Sequence, residues 1–205
     1  MKIDSAKIIL FHPGKTGGTS IEHLLKDLYL GPKYELNALV QNRDIMFGID
    51  SVLHIYLQHT CLRTYTNLGI NFKEYKTITT VRRPYERILS CYYYNGKSRI
   101  YSFEDFITKN LEACYKSSII KNYAVGHFAP QHFFSHLDDY SVDHIVHLES
   151  FEEDCKKAGL PVKYHYSKTQ GVTKYKDRME AYNKKTKDIV YRIYKEDFDK
   201  YGYDK

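Results

Sequence analysis

The sequence contains no tryptophan, and its 205 residues include only four cysteines. Cys61, Cys91, Cys114 and Cys155 are widely spaced and form no CxxC pair. Neither a zinc site nor a disulfide framework is indicated, and reduced thiols in a cytoplasmic setting are the expectation. No segment approaches the ~20 apolar residues of a membrane span, so no membrane partner is expected. Met1-Lys2-Ile3-Asp4-Ser5 leads straight into an apolar run, without the pattern of a signal peptide. Repeats, low-complexity tracts and linkers are absent. The length suits one domain, residues 1–205, able to bury its own core.

The aromatic content is carried by 21 tyrosines and 10 phenylalanines. Lys and Arg exceed Asp and Glu by 31 to 25, a formal +6, with much of the excess from Lys163 onward. Most of it reads as a solvated lysine-rich surface. The sign suits a small anionic ligand, and no nucleic-acid partner is expected.

Lys7 to Phe11 is a continuous apolar run after its lysine, as in a strand covered on both faces. Ile21, Leu24, Leu25 and Leu28 then recur at helical spacing, predicting a helix from Thr19 to Leu30 that Gly31-Pro32 stops. A second strand is predicted at Val52 to Leu57, followed by a short helix capped by Thr60 and ending near Gly69. Thr77 to Val81, rich in β-branched residues, predicts the third strand, with Pro84 opening the next helix. Phe103 to His136 reads as helices and loops. A fourth strand is predicted at Asp143 to Leu148. Ser150 and Glu153 suggest a capping box for a helix ending at Gly159, and a last helix spans Tyr182 to Tyr201. Alternating strands and helices imply an α/β fold of three layers, a central parallel sheet flanked by helices. Ligands of such sheets bind beyond the carboxyl ends of the strands, where the two motifs of interest fall.

The first motif is His12-Pro13-Gly14-Lys15-Thr16-Gly17-Gly18-Thr19-Ser20, directly after the first strand. Glycines let backbone N–H groups turn toward an anion, and the following helix offers a positive dipole end. Lys15 adds a charge, and Thr16, Thr19 and Ser20 add hydroxyls. The motif is not Walker A: that pattern needs a glycine where this chain has Ile9, and no strand ends in a clear Mg-binding Asp. The second motif, Val81-Arg82-Arg83-Pro84-Tyr85-Glu86-Arg87-Ile88-Leu89-Ser90, follows the third strand. Arg82 stands at the strand end and Ser90 about two turns into the helix, a pairing suited to a terminal phosphate.

Together the two motifs resemble the paired donor-binding motifs of PAPS-dependent sulfotransferases, and are most similar to the carbohydrate (heparan and chondroitin) branch. The resemblance implies a P-loop-containing nucleotide hydrolase-like fold. It implies PAPS as donor and PAP as product, with no metal and with a hydroxyl acceptor, a saccharide by the branch. Lys15, Thr16, Gly17, Gly18, Thr19 and Ser20 would grip the 5′ phosphosulfate, and Arg82 and Ser90 the 3′ phosphate. His59 is similar to the family's catalytic base, and Lys15 would stabilise charge on the donor side. Arg83 departs from the Asn or Asp usual at that place. Arg87 reads as a surface or helix-pairing residue, His54 as a core histidine, and His12 as a locally packed one. Glu149 resembles a family Glu at a strand end, and Gln131 a family Gln near the acceptor. Ser167 to Gly171 resembles a late loop that closes over the donor. Asp197-Phe198 and Tyr201-Gly202-Tyr203 match the family's C-terminal helix and read as packing. A P-loop kinase or NTPase, and a non-catalytic anion-binding protein of the same fold, are the alternatives.

Overall fold

Ile8-Ile9-Leu10-Phe11 carries apolar side chains toward both faces of its strand, so it is stable only with cover on each side. The computed structural model provides that cover. It describes residues 1–52, 54–94, 97–116, 127–161 and 176–205, the side chains of 176–178 excepted. Among them the central sheet has four strands: β1 (Lys2–Ile3), β2 (Ile8–Phe11), β5 (Lys76–Val81) and β8 (His144–His147), in that spatial order. The pairs β2–β5 and β5–β8 are parallel, with Phe11 opposite Thr79 and Val81 opposite His147. The edge strand β1, which the sequence pattern does not suggest, runs antiparallel to β2.

Alternation along β2 divides the core. Ile8 and Leu10 pack with Ile21 and Leu25 of helix α1 (Gly18–Leu25) and with Phe151 and Cys155 of helix α6 (Phe151–Lys157). Ile9 and Phe11 pack on the opposite face with Leu62 and Tyr65 of helix α2 (Leu62–Asn67). A third cluster joins helix α3 (Pro84–Tyr94) to helix α7 (Lys184–Tyr201), with Phe103 of α4 (Phe103–Asp105) and the π turn Phe106–Leu111 between them. A short helix α5 (Glu112–Lys116) continues that turn. The threonines of β5 have partners on both sides: Thr79 Oγ1 donates to Phe11 O at 2.9 Å, and Thr77 Oγ1 donates to Asp143 Oδ2 at 2.9 Å. Two small hairpins, β3–β4 (Ile49–Asp50, Ile55–Tyr56) and β6–β7 (His136–Leu137, Tyr140–Ser141), stand apart from the sheet.

Several sequence expectations are corrected. The strand predicted at Val52 to Leu57 contracts to Ile55–Tyr56 and lies in a hairpin, not in the central sheet. Asp50 causes this: its carboxylate accepts from Val52 N at 2.9 Å and its carbonyl from His54 N at 2.9 Å, bending the chain, and His54 takes φ +53°. His54 is therefore an exposed turn residue and not a core histidine. Thr60 does not cap α2; its hydroxyl donates to Leu57 O at 2.7 Å. Ser150 makes no capping box, because its hydroxyl donates to Asp154 Oδ2 at 2.8 Å while Glu153 pairs with Lys157. The capping box belongs instead to α7, where Asn183 and Thr186 bond reciprocally, so that helix starts at Lys184 rather than Tyr182. The helix after the first motif is regular only to Leu25 and widens into a π turn over Lys26–Leu30. No helix among the described residues is long and apolar enough to cross a membrane.

Candidate functional site

Because β2 and β5 run parallel, the segments leaving their carboxyl ends emerge side by side. The loop after β2 turns twice through left-handed backbone, at Lys15 (φ +68°) and at Gly17 (φ +88°), before α1 begins. Gly17 tolerates that conformation without strain, and a Cβ there would also meet Leu148 Cδ1 at 2.7 Å. Gly18 is required for close approach, since a Cβ would lie 2.2 Å from the His12 ring. Ser20 N donates to Gly17 O at 3.0 Å, leaving the N–H groups of Gly18 and Thr19 as the orphan donors of the helix start.

Thr16 fastens this loop to the sheet. It is fully buried, and its hydroxyl donates to Pro13 O at 2.6 Å. With that proton committed, the 2.6 Å contact to Thr80 Oγ1 is a bond donated by Thr80. Thr19 is exposed, Ser20 is buried, and Lys15 lies between the two extremes with Nζ 3.7 Å from the centroid of the Tyr94 ring.

Behind the loop stands a buried polar pair. His12 Nδ1 and Glu22 Oε1 are 2.8 Å apart, and both residues are almost wholly buried. Burial opposes the Glu22 charge, yet the His12 ring beside it leaves the carboxyl below its usual range. His59 arrives on the short turn Leu57–His59 and sets Nδ1 2.9 Å from His12 O. A carbonyl only accepts, so Nδ1 carries the proton and Nε2 presents a lone pair. Burial, and His12 next to it, push His59 down to about 4. The rings of His12, His59, His127 and Tyr94 follow one another at centroid distances of 4.7, 5.1 and 5.0 Å. Burial first, then His59 and Lys15, push His127 down to about 3.

At the end of β5, Arg82 is nearly buried, and its backbone is held as if by another strand. Arg82 N donates to Gln131 Oε1 at 2.8 Å, and Gln131 Nε2 donates back to Arg82 O at 2.9 Å. Gln131 is itself anchored by Asp197, which accepts from Gln131 N at 2.8 Å and from His132 N at 2.9 Å. Gln131 thus braces Arg82 from a fully buried position, and Asp197 is a polar clamp rather than simple packing. Glu149 braces the same segment from the other side. It accepts from Arg83 N at 2.7 Å and from the Tyr203 hydroxyl at 3.0 Å. The Arg82 guanidinium lies 3.4 Å from Glu86, which also pairs with Arg83 at 2.9 Å. Ser90 is buried on α3.

Arg87 departs from the surface or helix-pairing role expected of it. It is completely buried, with Nε donating to Gly14 O at 3.0 Å and Nη2 to His127 O at 3.0 Å and Ala129 O at 2.8 Å. Arg87, Cys91 and Tyr94 sit three and four residues apart on one stripe of α3. All three reach the loop or His127: Cys91 Sγ donates to His127 O at 3.0 Å, and Tyr94 lies under Lys15. That i, i+4, i+7 spacing groups Arg87 with Tyr94 on one helix face without revealing what they reach; His127 carries no sequence signal. Residues 167–171 lie outside the described residues.

Residues 3–204 match the profile of the Sulfotransferase family. The chain belongs to the sulfotransferase family. No curated protein and no solved structure matches it. Family membership makes this sulfotransferase an enzyme of sulfuryl transfer and implies a hydroxyl-bearing acceptor.

Proposed function

We propose that this sulfotransferase has a P-loop-like fold over residues 1–205, uses PAPS as donor and releases PAP, and sulfates a saccharide hydroxyl. The observation that carries the reading is the convergence of the loop after β2 and the Arg82 segment after β5 at adjacent parallel strand ends. The donor set fits such a ligand. Lys15, the Gly18 and Thr19 N–H groups and the exposed Thr19 hydroxyl suit the 5′ phosphosulfate end. Arg82, just past the end of β5, and Ser90, about two turns into α3, suit the 3′ phosphate. Bound PAPS would supply the sulfuryl group to be transferred, with PAP departing.

The chain's own residues do the rest. His59 keeps its proton on Nδ1 against His12 O, so Nε2 accepts the acceptor's hydroxyl proton. Its depressed basicity keeps it neutral, and therefore competent, at physiological pH. Lys15 places positive charge on the donor side, where negative charge grows as the sulfur–oxygen bond breaks. Glu86 must yield part of its contact with Arg82 when a phosphate arrives. A saccharide acceptor is supported by the motifs' similarity to the carbohydrate branch. The exposed rings of Tyr56, near His59, and Tyr94, near His127, offer flat faces for a sugar ring.

The test is calorimetric titration with PAP and, separately, with ATP and Mg²⁺, followed by transfer assays with labelled PAPS on saccharide acceptors. Metal-independent PAP binding is expected, with transfer abolished in His59→Ala while PAP affinity persists. Binding of Mg-ATP alone would refute the reading in favour of a kinase or NTPase. Full transfer by His59→Ala would remove His59 as the base.

A further inference from the structure

Arg87 is the largest fully buried side chain of α3, and among the described residues its charge has no partner of opposite sign. No Asp or Glu among the described residues lies within ion-pair distance of it. The buried carboxylates are engaged elsewhere: Glu22 with His12, Asp197 with Gln131 and His132, and Asp50 with Arg43. The side chains next to it are neutral, and two other charges, Lys15 and Arg82, which act with it on the Cys91 thiol, are also positive. The Cys91 thiol is pushed up to about 11 by burial, and burial likewise raises Tyr194, whose ring centroid is 5.9 Å from the guanidinium. Three carbonyls accept from Nε and Nη2, while Nη1 is buried and makes no hydrogen bond among the described residues.

Carbonyl groups can be satisfied by a neutral amide. Burying a full charge for that purpose alone is costly, because the interior solvates it poorly. Such a cation is tolerated where an anion completes it. Arg87 bonds the carbonyl of Gly14, the first glycine of the anion-binding loop, from beneath. We propose that Arg87 is the fixed buried cation of the donor site, with the phosphosulfate end of the donor as its counter-ion. It acts through the loop as a positioning residue and an electrostatic one, and touches no reacting atom. The proposal rests on the loop being the anion site, as in the function proposed above. It adds that the affinity of that site depends on charge held behind the loop as well as on Lys15 in front.

The experiment compares wild type, Arg87→Lys and Arg87→Met by titration with PAP and with inorganic pyrophosphate, alongside the unfolding temperature of each protein with and without PAP. If charge is the cause, Arg87→Met loses roughly tenfold or more in affinity for both probes, equivalent to about 1.4 kcal/mol. Arg87→Lys retains most of it, although its ammonium cannot reproduce the fork to three carbonyls. Stabilisation by PAP shrinks in Arg87→Met and not in Arg87→Lys. Equal losses in the Lys and Met variants would show that geometry alone matters and would overturn the proposal, as would wild-type affinity in Arg87→Met. Should the Met variant fail to fold, Arg87→Gln keeps an amide donor for the carbonyls and makes the same comparison with Lys. Pyrophosphate binding without PAP binding in the wild type would count against PAPS as donor, while the Arg87 comparison would still be read from pyrophosphate.

Discussion

Thr16 offers the sharpest test of how the loop after β2 is held. Thr16→Val keeps the shape and removes the hydroxyl, which strips the donor from Pro13 O and the acceptor from the Thr80 hydroxyl, both inside the protein. A buried polar group left unsatisfied costs ~1–3 kcal/mol, so two of them cost about 3 kcal/mol. The added methyl returns roughly 0.8 kcal/mol, for a net loss of about 2 kcal/mol. Thr80→Val is milder. Thr16 then keeps its bond to Pro13 O, and valine suits the centre of a strand, so about 1 kcal/mol is expected. In the double variant the Pro13 carbonyl is the single group left unpaired. Its loss should therefore fall short of the sum of the single losses by about 1 kcal/mol. Urea unfolding of the four proteins gives these values by linear extrapolation. Additive losses, within ~0.3 kcal/mol, would refute the shared hydrogen bond. Binding separates two roles of the same hydroxyl. If Thr16 acts by fastening the loop to β5, PAP affinity falls in Thr80→Val as well as in Thr16→Val. If only Thr16→Val weakens PAP, the hydroxyl serves the ligand directly and the fastening role is lost.

Three further outcomes follow from the same geometry. His59 and His127 are depressed to about 4 and about 3, below the ordinary ~6.5 of an unfolded histidine. The unfolded chain therefore binds more protons between those values, and stability is fullest above ~6.5 and declines as pH falls toward 4. Chemical unfolding across pH 4 to 8 checks the slope, and replacing either histidine by Gln should flatten it. If His59 is the base, as proposed, the acid limb of the kcat/KM profile should likewise lie well below ~6.5; a limb at ~6.5 would count against that assignment. Gly18→Ala should lower stability by about 1–3 kcal/mol, the usual penalty of overpacking, because the His12 ring it strikes is pinned to Glu22. An unchanged unfolding temperature would show that the loop gives way instead.

The parts of this fold that are legible in the sequence are those written in consecutive residues. Ile8 to Phe11 announces a doubly covered strand, Gly31 and Pro32 stop a helix, and each motif follows its strand directly. What is not legible depends on partners distant in the chain. A capping box at Ser150 is plausible by spacing, but Asp154 offers its hydroxyl a charged acceptor one turn away. The strand predicted from Val52 fails because one side chain, Asp50, binds Val52 N, Gln41 and Arg43 and so turns the chain back. His127 carries no local signal, because it reaches the site through Arg87 and Cys91, which lie 40 and 36 residues away. Arg87 resembles a surface residue in the sequence for a physical reason. Arginine is mostly exposed, and its burial becomes credible only once the three carbonyls that accept from it are seen together.

The segment after β5 consequently does more than its spacing implies. By sequence it is a second phosphate site, independent of the first. In the structure, Arg82 is braced by Gln131 at the start of that segment, and further along Arg87 bonds Gly14, Cys91 bonds His127, and Tyr94 underlies Lys15. The segment running from Arg82 through α3 therefore holds the first motif from behind and ties it to the end of β5. On the function proposed above, the donor would span from this segment to the loop after β2. Changes that tilt α3 against α7, such as loss of the Tyr182 hydroxyl bond to Tyr85 O at 2.8 Å, should then weaken both ends together rather than either alone.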